Sequence, residues 1–219
     1  MVLITDASID ARLADCDLKI TNAWEDPKIS GPILAFGFDQ PRFDIGFALY
    51  KAAFDSHQFK KDEFTEQLAA TEAFQVAFDE TDKIFMQDVA VARVAIKDNL
   101  PLLKRLGLIG ERKITYTGWL GHAKSFYGTV LGNEEAAALM ANYGRTPEML
   151  QANKDKVLNV EKLKKIQLRE VGDAQEATKK RDEALEALET WVADLVAIAR
   201  VALADSPQLL EKLNIKVSP

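Results

Sequence analysis

Hydrophobic residues recur at helical spacing along almost the whole chain. Near the C-terminus they form a stripe with steps of three and four residues, the pattern of a helix that buries one face. Its members are Leu185, Leu188, Val192, Leu195, Ala199 and Ala202. The sequence lacks long alternating runs of β-branched residues and Asn-Gly or Asp-Gly turns, so strands are not expected. The pattern predicts an all-α protein folded as an antiparallel helical bundle.

Short polar signals divide the periodic chain into helices. Asp26 and Asn133 precede apolar stretches and are typical N-cap residues, because their side chains accept hydrogen bonds from the first free amides. Pro147 and Pro207 each follow a Thr or Ser and suit the first helical position. We therefore expect new helices to begin at these four places.

Long helices are predicted over residues 173–204 and over their counterpart, residues 66–97. Another is expected after Pro147. Within the longer periodic stretches, breaks are expected at residues 60–65, which are rich in charge, and at Gly172.

The chain resembles itself at an offset of 107 residues. Residues 92–108 align without a gap on residues 199–215, with eight identities in 17 positions. Apolar residues of the first predicted helix, such as Cys16 and Ile20, fall on apolar residues at the same offset. Since such agreement is typical of internal repeats, we predict two duplicated helical units, residues 1–108 and 109–219, packed together as one globular domain.

Composition restricts the environment and the partners. Of the 219 residues, 47 % are hydrophobic and 28 % charged, which is usual for soluble domains. The net charge of −6 argues against nucleic acid as a partner, and neither a signal peptide nor a membrane-spanning run is recognisable. Cys16 is the single cysteine, so an intrachain disulfide is impossible and a cytoplasmic location is expected. Cys16 lies on an apolar stripe and is expected to be buried.

Motifs that carry known chemistry were not found. The two histidines, His57 and His122, lack the spacing of zinc or di-iron ligands. Glycine-rich nucleotide-binding loops and a nucleophile elbow are also missing. We therefore expect no cofactor, no metal site and no catalytic residues, and we do not expect an enzyme.

Residues 116–131 form the most unusual local stretch, because three glycines interrupt an otherwise helical pattern. These are Gly118, Gly121 and Gly128. One interpretation is close packing of a second helix against the glycine side. The other is a small-molecule pocket, for which the small residues leave space. The side chains that would line it are Trp119, His122, Phe126 and Tyr127.

Arg93 and Arg200 occupy equivalent positions of the repeated block, near predicted helix ends. A basic side chain there interacts favourably with the last carbonyl groups of the helix. Alternatively, the two guanidinium groups meet and bind an anionic group.

These observations favour a non-catalytic interaction or scaffold protein of the cytoplasm. Its expected partner is a second copy of the chain or another protein. A homodimer is expected through residues 179–189, where Leu185 and Leu188 would need a partner's apolar surface. A small-molecule-binding bundle with an apolar, aromatic-lined pocket is the alternative, and an enzyme is the third class.

Overall fold

The structure, a computed structural model, describes residues 6–110 and 114–216. Helix accounts for 85 % of this part of the chain, and no strand occurs in it, so the all-α prediction is confirmed. Seven α-helices and a C-terminal 3₁₀ helix follow one another. They are α1 (Asp6–Glu25), α2 (Pro27–Leu34), α3 (Gln40–Ala95), α4 (Leu100–Arg105), α5 (Tyr116–Leu131), α6 (Glu134–Ala141), α7 (Pro147–Ala202) and the 3₁₀ helix (Pro207–Leu213).

The predicted helix starts are confirmed. The Asp26 side chain accepts a hydrogen bond from the amide of Lys28, and the Asn133 side chain accepts one from the amide of Ala136. Pro147 and Pro207 are the first residues of their helices. These positions need no distant contact, because a cap satisfies donors within its own first turn.

The two longest helices, α3 and α7, have 56 residues each. The breaks predicted at residues 60–65 and at Gly172 are wrong, because helix continues through both places. One glycine lowers helix propensity by about 1 kcal/mol, which a helix already formed on both sides tolerates. Within residues 6–110 and 114–216, no helix contains a stretch apolar enough to cross a bilayer.

The chain divides into two compact units. Unit 1 comprises Met1–Phe64 and Asp173–Pro219, and unit 2 comprises Thr65–Gly172. These units are not the sequence halves 1–108 and 109–219, since each unit draws on both halves. Helices α3 and α7 contribute one part to each unit, and the borders fall at the two places where breaks were expected.

Each unit has its own hydrophobic core. In unit 1, buried residues of α1 and α2 share a cluster with the stripe of α7, represented by Ile20, Ile33 and Leu188. In unit 2, the second part of α3 shares a cluster with α5, α6 and the first part of α7. Representative members are Phe85, Phe126, Met140 and Leu150.

Leu188 and Leu195 belong to the interior, as the spacing predicts, and neither exposes any surface. Leu185 is also buried within the single chain, with only 3 % of its surface accessible. The stripe around residues 179–189 therefore does not need a partner molecule to cover it. The original reason for expecting a homodimer through these leucines is wrong.

Helix boundaries recur at a spacing of 107 residues. Helix α2 begins at 27 and α6 at 134, while α3 spans 40–95 and α7 spans 147–202. Left-handed backbone recurs at the same spacing, with φ of 82° at Gly37 and 76° at Gly144. It occurs again with φ of 66° at Gly107 and 55° at Asn214. Glycine and asparagine are the residues that adopt this conformation most readily.

Cys16 is buried in the core of unit 1, as expected. Burial raises the pKa of the Cys16 thiol to about 11, with smaller contributions from the negative charges of Glu189 and Asp15. Since the thiolate is the reactive form, few molecules carry a reactive sulfur near neutral pH.

We expect native Cys16 to react with a disulfide reagent at pH 8 about a hundredfold or more slowly than the unfolded chain. The measurement is thiol release with and without concentrated guanidinium chloride. Equal rates would show that Cys16 is accessible in the folded protein.

Candidate functional site

Helix α5 carries the predicted pocket residues. The Thr115 side chain caps it by accepting a hydrogen bond from the amide of Gly118. Trp119, Phe126 and Tyr127 are 2 %, 0 % and 0 % exposed and belong to the core of unit 2. His122 is only partly buried. The structure thus brings all four side chains to one unit.

Phe85 of α3 lies at the centre of this aromatic cluster. Its ring centroid is 5.2 Å from that of His122, 5.6 Å from Phe126 and 6.0 Å from Tyr127. Phe78 packs edge-on against Trp119 at 4.8 Å. Edge-to-face contacts at these distances are typical of aromatic cores, and the side chains predicted to line a pocket fill space together here.

Trp119 and His122 each form a hydrogen bond at the rim of the cluster. The indole nitrogen of Trp119 donates a hydrogen bond of 2.9 Å to Asp82 Oδ1. His122 Nε2 donates one of 3.1 Å to the carbonyl oxygen of Leu106, just after α4. These bonds connect α5 to α3 and to the residue that follows α4, and they orient the two rings.

A buried carboxylate, Asp88, lies beside this cluster with 1 % of its surface exposed. Its Oδ2 accepts hydrogen bonds of 2.8 Å from Tyr127 Oη and from Asn153 Nδ2. Its Oδ1 forms an ion pair with Arg145 Nε at 2.8 Å. We call these four residues the Asp88 network. A buried charge requires such compensation, because burial removes its hydration.

The network changes the chemistry of its tyrosine. Burial raises the pKa of Tyr127, and the nearby negative charge of Asp88 raises it further. Tyr127 therefore stays protonated and donates to the carboxylate. Because the unfolded chain has an ordinary tyrosine pKa of about 10, this contribution to stability is complete below that pH and is lost as pH rises above it.

Gly121 and Gly128 of α5 do not mediate close helix packing. A Cβ atom added at Gly121 or Gly128 would meet nothing within 4 Å among the described atoms. Both glycines, and Ser125 between them, are exposed. The predicted close approach of a second helix is therefore wrong on this side of α5, because these positions lie on the surface opposite the buried face.

Arg93 and Arg200 are both exposed and lie in the last turns of α3 and α7. Arg93 belongs to unit 2 and Arg200 to unit 1. Their positions agree with the interpretation as favourable charges at helix C-termini.

Unit 1 contains a second polar cluster, around His57. The ring is fully buried, and its Nε2 lies 2.9 Å from Asp10 Oδ1. Its Nδ1 has no hydrogen-bond partner among the described atoms. Lys61 Nζ lies 3.2 Å from the same oxygen, and this contact, with a smaller contribution from His57, lowers the pKa of Asp10.

An open groove lies between α3 and α7 within unit 1. Phe59 is half exposed there, beside buried Ala177. Charged side chains of both signs border it, namely Glu63, Asp173, Glu176 and Lys180. Lys180 is paired with Glu176 at 2.7 Å, so the border is partly neutralised.

The sequence pattern predicts the aromatic residues of this site but not Asp88, Arg145 and Asn153. The internal repeat does contain one indication that Asp88 is buried. At the offset of 107 residues Asp88 falls on Leu195, a member of the apolar stripe, so an acid occupies a position that is expected to be buried.

The chain matches no protein-family model, no curated protein and no solved structure.

Proposed function

We propose that this protein is a non-catalytic helical interaction protein of the cytoplasm, built from two duplicated helical units as an antiparallel bundle. The recurrence of helix boundaries and left-handed residues at one spacing supports the duplication. A single insertion or deletion in either repeat would destroy that register. The buried state of the sole cysteine agrees with a reducing compartment.

The groove at Phe59 supports the interaction role. Phe59 exposes 50 % of its surface, the largest exposed fraction among the phenylalanines of α3 that are exposed. Two further phenylalanines of α3, Phe54 and Phe64, are also exposed, at 42 % and 44 %. Steps of five residues turn about 140° around a helix, so these rings do not form one stripe, and Phe59 alone occupies the groove. Exposed aromatic side chains beside a groove are typical of binding surfaces.

A second copy of the chain is the proposed partner. The groove offers an apolar centre with Phe59 and a border that carries both acids and a lysine. A twofold dimer places the same surface on both partners, so a surface must complement itself. Lys180 is exposed on this border, so in a dimer it can pair with an acid of the second copy, which a uniformly acidic border would not allow.

Sedimentation equilibrium at micromolar concentration tests this proposal. We expect the wild-type chain to dimerise, and Phe59→Ser to weaken the dimer by about tenfold or more, because a central aromatic contact is lost. Phe36→Ser is the matched control, since Phe36 is 46 % exposed elsewhere in unit 1. A wild-type monomer of 24.3 kDa at every concentration would overturn self-association.

A further inference from the structure

Under the proposed duplication, each repeat has a leading segment, residues 1–64 or 109–172, and a trailing segment, residues 65–108 or 173–219. Unit 1 combines the leading segment of the first repeat with the trailing segment of the second. Unit 2 combines the remaining two segments. The repeats have therefore exchanged their trailing segments, as the subunits of a domain-swapped dimer do.

The same segments have an alternative arrangement in which each repeat folds on itself. Helices α3 and α7 would then turn back near residues 65 and 172, which are equivalent at the offset of 107. Most buried positions are apolar in both repeats, so hydrophobic burial alone distinguishes the two arrangements poorly. Some buried positions must differ between the units for one arrangement to be preferred.

The Asp88 network is one such difference. Asp88 is in a trailing segment, and its partners Tyr127, Arg145 and Asn153 are in the leading segment of the other repeat. In unit 1, the four equivalent residues have no charge. They are Leu195, Ile20, Phe38 and Gly46. If the first repeat folded on itself, the Asp88 carboxylate would face Ile20, Phe38 and Gly46, and its charge would lose all three partners.

Trp191 supplies a second difference, in unit 1. Its ring packs edge-on against Phe38 and Phe43, at 5.7 and 5.9 Å. A Cβ atom at Gly46 would lie 2.5 Å from the ring, so only glycine fits there. The residue of the second repeat equivalent to Gly46 is Asn153. A second repeat folded on itself would therefore place the asparagine side chain against Trp191.

We infer that the Asp88 network and the Trp191–Gly46 contact are pairing determinants that hold the chain in the exchanged arrangement. The Asp88 network disfavours a first repeat folded on itself, because the buried charge would lose its partners. The Trp191–Gly46 contact disfavours a second repeat folded on itself, because Asn153 would clash with the Trp191 ring. This inference rests on the proposed duplication and does not depend on dimerisation through Phe59.

The test uses the full chain with a protease site inserted after Gly110, between the repeats. The cleaved protein is unfolded, refolded and weighed by native mass spectrometry, which separates the heterodimer of the two fragments from either homodimer. If the fragments pair at random, the homodimer of the first fragment, the heterodimer and the homodimer of the second fragment form in the ratio one to two to one. We expect the ratio of heterodimer to the homodimer of the first fragment to exceed its random value by about tenfold or more, because that homodimer leaves Asp88 unpaired.

Asp88→Leu should raise the homodimer of the first fragment by about tenfold, because the buried charge is gone. Asp98→Leu is the matched control, with the same change of charge at an exposed position, and should leave the proportions unchanged. Gly46→Asn should weaken the heterodimer specifically, since it places a side chain against Trp191. Co-expression of the two fragments, with a tag on one, gives the same comparison without refolding.

The outcomes separate two failures. Random pairing of the wild-type fragments would overturn the pairing determinants while leaving the duplication intact. If the wild type and every variant formed only the heterodimer, both the pairing determinants and the duplication would be overturned. Equivalent repeats must form homodimers once the determinants are removed.

Discussion

Asp88→Ala is expected to lower the free energy of unfolding by about 3 kcal/mol. The substitution removes the acceptor of the Tyr127 and Asn153 hydrogen bonds and leaves the Arg145 guanidinium without its partner. The fully buried phenol of Tyr127 cannot replace this acceptor with water. Arg145 keeps partial access to solvent, with 24 % of its side chain exposed, which keeps the loss from being larger.

Urea unfolding followed by circular dichroism measures this effect. Asp98→Ala removes an exposed acid after α3 and should change stability by less than about 0.5 kcal/mol. Tyr127→Phe removes one donor and keeps the ion pair, so its expected cost is about 1 kcal/mol. An Asp88→Ala protein as stable as the control would mean that the carboxylate is not compensated by these three partners.

Leu195→Ala is expected to lower the free energy of unfolding by about 2–5 kcal/mol. Leu195 is fully buried in the core of unit 1, at the position equivalent to Asp88 in unit 2. Truncation removes three carbon atoms, and the remaining cavity destabilises the surrounding packing. Its position in the middle of the α7 stripe limits how far neighbouring side chains can collapse into the space.

Val201→Ala is the control, because Val201 lies near the end of the same helix with 59 % of its surface exposed. Its expected change is within about 0.5 kcal/mol. The same urea experiment applies. A loss below about 1 kcal/mol for Leu195→Ala would show that the site is loosely packed.

Local signals predicted the helices well. Asp26 and Asn133 cap helices where the sequence indicates, because a cap depends on a few neighbouring residues. The stripe through Leu188 and Leu195 predicts the buried face of α7, because one helical period fixes which side chains share a face. The break predicted at Gly172 is wrong, because the free-energy cost of one glycine is small beside the stability of a helix packed along much of its length.

The candidate site was only half predictable. Trp119, Phe126 and Tyr127 are aromatic, and their spacing on one helix indicates burial. The Tyr127 hydroxyl donates to Asp88, which lies 39 positions away in the sequence. Only the packing of α3 against α5 brings the two side chains together. The exposure of Gly121 and Gly128 could not be predicted from the sequence, since glycine occurs both where helices touch and where they face water.

The two compact units differ in the order in which protein synthesis can complete them. Unit 2 is a continuous stretch, Thr65–Gly172, so all of it has been translated before the last part of unit 1. Unit 1 joins Met1–Phe64 to Asp173–Pro219, and its core therefore stays incomplete until the part of α7 that begins at Asp173 has been synthesised. Until then the apolar faces of α1 and α2 lack the α7 stripe that covers them in the folded protein, and the growing chain exposes this apolar surface to water.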